Sequence, residues 1–346
     1  MARAASDYDE SDARVRPSRR GSRPRSKDRP AHGDAVAGMV LGVDRGRYRV
    51  RMQAGVGGGD GSAERMVNAM KARELGRKGI VVGDHVALVG DTVGGPDALA
   101  RIVRVEPRST VLRRTADDSD PVERVIVANA DQLVIVTALA DPPPRPRMVD
   151  RCLVAAYDAG MDPLIVLTKS DLTSPEEFLA SYAPLDVPTL VTSAVGDVSG
   201  VEALLERLQG RVSVLVGHSG VGKSTLVNAL VPDALRAVGI VNDVTGRGRH
   251  TSSSAVALEL PDASGWVVDT PGVRSFGLAH VRLDRIILHF PDLEAGTTQC
   301  PRGCTHDEEE CALDAWVEGG HAGPSGPSRL ESLRRLLSSR TTTEDH

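Results

Sequence analysis

The chain has 346 residues, a formal net charge of −5 and only 3% aromatic side chains. That length accommodates two or three domains with cores of their own, and the near-balanced charge gives no whole-chain reason to expect nucleic-acid binding. No apolar run approaches the roughly 20 residues needed to cross a bilayer and the N-terminus lacks a secretory apolar core, so the expectation is a cytoplasmic protein with no membrane partner.

Residues 1–33 carry Arg14, Arg16, Arg19, Arg20, Arg23, Arg25, Lys27 and Arg29 between prolines. Such a segment cannot bury enough apolar surface to offset its ordering entropy and is expected to be a disordered basic tail; the other reading is an arm that touches RNA phosphates. Residues 34–107 change to short alternating runs separated by glycine. Strands are expected at 36–43, 48–52, 80–82, 85–89 and 100–105, the pattern of a small OB-type β-barrel. The stretch 65–78 adds Arg65, Lys71, Arg73, Arg77 and Lys78 as a candidate phosphate-facing edge, although any small barrel would show the same pattern.

A basic connector at 108–114 opens the next domain, 108–277. Here strands (132–137, 163–167, 189–192, 212–216, 266–268) alternate with helices (147–159, 201–208, 223–230), which implies an α/β domain with a parallel sheet covered on both faces. Residues 278–340 read as a helical, loop-rich zinc-binding domain ending in a helix at 329–337, followed by a tail at 341–346. Three of the four cysteines fall in this region: Cys300, Cys304 and Cys311 surround His306, while Cys152 stands alone in an apparent helix. Three thiolates and one imidazole are the ligand count of a closed structural Zn²⁺ site rather than a disulfide framework. Asp307, Glu308, Glu309 and Glu310 read as a solvated charge run.

Gly217-His218-Ser219-Gly220-Val221-Gly222-Lys223-Ser224, with Thr225 next, fits the eight-residue phosphate-loop template after an apolar strand and before a helix. Its glycines let backbone N–H groups approach phosphates, Lys223 would reach the β- and γ-phosphates, and the Ser224 hydroxyl would bind Mg²⁺. Thr168-Lys169-Ser170-Asp171 is similar to the guanine-specificity motif Asn-Lys-x-Asp, with Thr168 in place of the usual Asn. The Asp171 carboxylate would accept from guanine N1–H and its exocyclic amine, a donor pair adenine lacks. Thr192-Ser193-Ala194 stands where the backbone contact to guanine O6 is expected. Asp269-Thr270-Pro271-Gly272 has the form of switch II, with Asp269 holding Mg²⁺ through water and the Gly272 N–H sensing the γ-phosphate. Residues 246–251, ending in His250 and Thr251, occupy the switch I position, from which the Thr251 hydroxyl would reach Mg²⁺. Base-recognition motifs thus precede the phosphate loop, a rotated order that a doubly wound sheet permits because its termini lie close together.

That order, with the stretches GHSGVGKST, DTPG and GRGRHTSS, resembles the circularly permuted GTPases of small-ribosomal-subunit biogenesis, the RsgA/YjeQ family. Residues 128–132, Asp150-Arg151 and 164–172 extend the similarity, as does the layout of barrel, permuted GTPase and zinc-bearing tail over about residues 36–340. The resemblance implies binding to the small ribosomal subunit and its 16S-type rRNA through barrel and zinc domain, and hydrolysis of GTP to GDP by a monomer when docked. Val273 follows the switch II glycine where many GTPases carry a water-orienting glutamine; His250 is the best polar candidate for that task, as the family resemblance also suggests. The family pattern has one more residue between the first two cysteines and one more before the last. The alternatives are an RNA-binding module that does not turn nucleotide over and an ATP-using P-loop kinase or transporter component.

Overall fold

The computed structural model describes residues 32–52, 65–76, 79–92, 98–114, 124–193, 199–232, 255–270, 278 and 281–339. Five strands close a barrel: β1 (Val36–Asp44), β2 (Arg47–Met52), β3 (Met66–Lys71), β4 (His85–Gly90) and β5 (Leu99–Val105). The order runs β1-β2-β3-β5-β4 and back to β1, antiparallel except for the β3–β5 pair. Period-two alternation turns Tyr48, Val50 and Met52 of β2 and Val67 and Ala69 of β3 inward against Val40, Leu88 and Ile102. The strand expected at 80–82 is absent; Val82 makes only an isolated parallel bridge to Val127. The stretch carrying the candidate basic edge also contributes β3, whose Val67 and Ala69 complete the barrel core.

The second region holds β6 (Val111–Arg114), β7 (Arg124–Ala128), β8 (Gln132–Ala138), β9 (Asp162–Thr168), β10 (Thr189–Val191), β11 (Val212–Val216), β12 (Val256–Glu259) and β13 (Trp266–Asp269). Its sheet runs β10-β9-β8-β11-β13-β12. All pairs are parallel except β12–β13, so the expected all-parallel sheet carries one antiparallel strand. Helices α1 (Pro146–Ala159), α2 (Glu176–Tyr182), α3 (Ser199–Leu208) and α4 (Lys223–Leu230) flank it. Alternate residues serve opposite faces: Leu133, Ile135, Ile165 and Leu167 pack with α1, and Val134, Val136, Leu164 and Val166 with α3 and α4. Burial on both faces is why these strands read as continuous apolar runs.

Barrel and sheet share a tight seam. A bulge in β1 at Leu41 turns that side chain out of the barrel and into a cluster with Val82, Leu112 and Val127. The fully buried Asp84 carboxylate accepts from the Val81 amide (2.8 Å) and from Arg108 Nε and Nη2 (2.7 and 2.8 Å). The basic connector is therefore no solvated linker: Arg108 is locked into the seam, and residues 111–114 form β6 paired with β7. Gly83 has φ +86°, and a Cβ there would lie 1.9 Å from the Ala128 carbonyl oxygen. Gly83→Ala is expected to cost about 3 kcal/mol or more, from left-handed strain plus overlap with backbone; denaturant unfolding of the full chain measures it, and a loss within error would contradict the seam.

The C-terminal region comprises α5 (Leu283–Ile286), α6 (Pro291–Glu294), α7 (Ala312–Glu318) and α8 (Gly326–Ser338). The last helix docks on α1 and the turn after α2. Arg151 Nη1 donates to the Ser339 carbonyl at 2.6 Å, and Arg329 grips Asp292 with two nitrogens while a third donates to the Pro184 carbonyl. Asp150 accepts from the Tyr182 hydroxyl (3.1 Å) and faces Arg335 Nε at 3.2 Å. Burial pushes the Asp150 carboxyl up, with Arg335 and Tyr182 opposing it, and burial followed by the Asp150 charge raises the Tyr182 phenol. Among the described residues no helix is long and apolar enough to cross a membrane.

Candidate functional site

The apolar strand β11 delivers the chain into the phosphate loop. Gly217 packs so closely on β8 that a Cβ would lie 2.5 Å from the Val136 carbonyl, while Gly220 and Gly222 adopt φ of +84° and +87°. These left-handed positions turn the chain back on itself, and Gly222 is the N-cap of α4. Lys223, Ser224 and Thr225 form the first turn of α4, with Ser224 and Thr225 exposed. The Lys223 ammonium pairs with the Asp269 carboxylate. Asp269 ends β13, next to β11, and the Thr270 hydroxyl fastens this end by donating to the Leu215 carbonyl at 2.8 Å. His218 sets Nδ1 2.9 Å from the Ser219 carbonyl, and its ring helps wall a narrow apolar slot with Pro142, Arg145 and Met148.

The candidate base-recognition turn leaves β9 two strands away and meets the phosphate loop directly. The buried Thr168 hydroxyl donates to the Val221 carbonyl at 2.6 Å. The substitution of Thr for Asn thus keeps a tether between the two motifs: one hydroxyl reaches the loop carbonyl. Lys169 takes φ +59°, and its ammonium donates to the Asp141 carbonyl. Asp171 accepts from the Ser193 hydroxyl at 2.6 Å, which fixes one carboxylate oxygen and orients the other. The sequence offered Ser193 only as part of a backbone contact. Its side-chain role was not legible, because β9 and β10 bring the two segments together only when paired. Ala194, His250, Thr251 and Gly272 lie outside the described residues.

A second group of functional side chains lies before α7. Ligand atoms of Cys300, Cys304, His306 and Cys311 all fall within 4.8 Å of one another. His306 Nδ1 stands 3.7, 3.7 and 3.9 Å from the three sulfurs in chain order, and Cys300 and Cys311 Sγ are 4.0 Å apart. A tetrahedral zinc with ordinary Zn–S and Zn–N bonds needs about 3.8 Å between sulfurs and about 3.6 Å from sulfur to nitrogen, so the set fits. The shortened loops close because Gly303 and His306 take φ of +83° and +72°. Burial raises the Cys304 and Cys311 thiols and lowers His306; neutral imidazole suits a metal, and thiolates there call for a cation. Glu308 belongs to the loop rather than to a freely solvated run. It accepts from the Thr305 amide and hydroxyl at 2.8–3.0 Å, and these donors hold its carboxyl down at about 2.

A phosphate loop tethered to a base-recognition turn that precedes it in sequence, on a sheet of this order, defines a circularly permuted P-loop GTPase. Residues 105–279 match the RsgA GTPase family profile. The chain is 40% identical over 271 residues to the small ribosomal subunit biogenesis GTPase RsgA of Pseudomonas putida, covering 75% of each chain. It is 36% identical over 315 residues to the protein of the same name from Chlorobaculum parvum, covering 88% of this chain and 98% of that one. Among solved structures it resembles YjeQ from Thermotoga maritima, with TM-score 0.63, 25% identity and coverage of 89% and 99%. It also shares the fold of YloQ, described as a circularly permuted GTPase, with TM-score 0.62, 20% identity and coverage of 91% and 98%. The chain belongs to the RsgA GTPase family.

Proposed function

We propose that this chain hydrolyses GTP as an assembly factor of the small ribosomal subunit, acting late in maturation and stimulated by the subunit. The observation that supports the reading is the Thr168–Val221 hydrogen bond, which ties the turn carrying Asp171 to the phosphate loop, so that the two would hold opposite ends of one nucleotide. The proposed division is a basic tail at 1–33, an RNA-contacting barrel at 34–107, the GTPase at 108–277, a zinc domain at 278–340 and a tail at 341–346. The protein acts as a cytoplasmic monomer that contacts 16S-type rRNA.

Within the site, Asp171, held by Ser193, accepts from guanine N1–H and the exocyclic amine, and the Lys169 stem covers the base. Residues 217–222 present amides to the phosphates, and Lys223 exchanges Asp269 for phosphate oxygens when GTP enters. That exchange frees the Asp269 carboxylate. With Asp269 acting through water, Ser224 and Thr251 would hold Mg²⁺, which supplies charge neutralisation at the β- and γ-phosphates. Gly272 senses the γ-phosphate, and His250 orients the attacking water in place of the glutamine that Val273 replaces. Cys300, Cys304, His306 and Cys311 hold one structural Zn²⁺.

The decisive experiment measures GTP turnover with and without purified small subunits; a rate that the subunits leave unchanged would overturn the assignment. His250→Ala is expected to slow subunit-stimulated hydrolysis by about a hundredfold while sparing GTP affinity. Single-turnover kinetics with labelled GTP separate the two quantities, and an unchanged rate would remove the histidine from the mechanism.

A further inference from the structure

The hairpin β12–β13 joins the two proposed switch segments: residues 246–251 precede it and Asp269 ends it. In an open sheet the outer edge of β12 would be free. Here β1 pairs with its first residue, and a side chain of β2 reaches its last.

At the switch end, Gly42 of β1 pairs with Val256, the first residue of β12, and Val256 in turn pairs with Asp269. The barrel strand, the strand leaving switch I and the switch II carboxylate therefore share one row across the sheet, two strand spacings, or about 10 Å, from barrel to carboxylate. At the far end Glu259 pairs with Trp266, and Arg51 of β2 reaches both. Its Nη1 lies 2.9 Å from Glu259 Oε1, and its guanidinium sits over the Trp266 ring at 4.8 Å. Arg51 and Glu259 side chains are 19% and 26% exposed, so this contact is sheltered from screening by solvent. Arginine suits the place because a planar guanidinium can pair with a carboxylate and lie on an aromatic face at once.

We propose that Arg51 is a positioning residue for GTP hydrolysis: from the barrel it clamps the hairpin that links the two switches, so that what the barrel binds is felt at the nucleotide. The proposal rests on the reading of residues 246–251 and 269–272 as switches and of the small subunit as the stimulating partner. The clamp touches neither nucleotide nor metal; it acts through the register of β12, whose first residue flanks Asp269. A ligand that shifts β2 against the sheet alters the strain on β12, and a nucleotide that reorders switch I alters the barrel's hold in return, since coupling between two sites is reciprocal.

The test uses the full chain as Arg51→Ala, Arg51→Lys and Glu259→Gln, with GTP turnover measured with and without saturating small subunits. The expected result is a stimulation factor reduced about tenfold in Arg51→Ala, with partial recovery in Arg51→Lys, which keeps the charge facing Glu259 but loses the stack. Glu259→Gln should fall between them. In parallel, the ratio of subunit affinities with a non-hydrolysable GTP analogue and with GDP should shrink in the same order. Basal and stimulated rates falling in equal proportion would make Arg51 merely structural and overturn the proposal. So would wild-type stimulation in Arg51→Ala. If the wild-type protein itself shows no stimulation, the function proposed above fails, and the coupling fails with it.

Discussion

Asp171→Asn is expected to abolish the preference for guanine nucleotides. The carboxylate offers two acceptors to the N1–H and amine of guanine. Hydrogen bonds to a charged group contribute about 1.5–3 kcal/mol each, so losing one and turning the other site into a donor facing a donor should weaken GTP binding by roughly 10²–10⁴-fold. The Ser193 hydroxyl, 2.6 Å from Asp171 Oδ1, will still hold the amide in place, so the variant tests base chemistry rather than a collapsed pocket. An amide presents one donor and one acceptor, the pattern that xanthine, with a carbonyl where guanine has its amine, would match. The expected measurement is a competition series in which GTP loses its advantage over ATP while xanthosine triphosphate gains affinity. Undiminished GTP selectivity would show that the base binds elsewhere.

The second large effect concerns the zinc proposed for the Cys300, Cys304, His306 and Cys311 cluster. Cys311→Ser, or exhaustive chelation, is expected to unfold the region around residues 300–318 and to loosen α8 from α1. Cys311 is buried and is the N-cap of α7, so losing the metal also leaves that helix start unanchored. The loop connects onward: the His306 carbonyl accepts from Arg334 Nε at 3.0 Å, and the same guanidinium grips Asp314 with two bonds of 2.9 and 2.6 Å. Structural zinc contributes apparent free energies of about 10–16 kcal/mol in small peptide domains, more than a short set of helices could replace through its own core. Elemental analysis should find one zinc per chain, and calorimetry of the stripped protein should show an early, separate transition. A metal-free chain that melts as the wild type does would refute the site.

Much of the α/β region was legible because its strands are buried on both faces. The runs at 132–137 and 212–216 announce themselves without neighbours, and the phosphate loop carries its own glycines. Strand β3 was not legible: Asn68 and Lys71 interrupt its apolar pattern, and only the pairing with β2 and β5 gives Val67 and Ala69 a core to enter. The antiparallel β12 was not legible either: it becomes a strand only through its pairing with β13 and its one bridge to β1. Arg108 read as connector charge because its partner Asp84 lies 24 residues upstream.

Chemistry that is local in the chain belonged to the sequence: the phosphate-loop template, the tetrapeptide similar to the guanine-specificity motif, the cysteine and histidine set, and the rotated order in which they occur. These depend on backbone torsions and on side-chain types within a few residues, so spacing reveals them. What only the folded chain decided was who holds whom. Thr168 reaching Val221, Ser193 reaching Asp171, Gly83 closing on Ala128 and Arg51 spanning to Glu259 and Trp266 join residues 22 to 215 positions apart. Such contacts are set by strand register and sheet order, and those are fixed when all strands pack together, so no local pattern could have announced them.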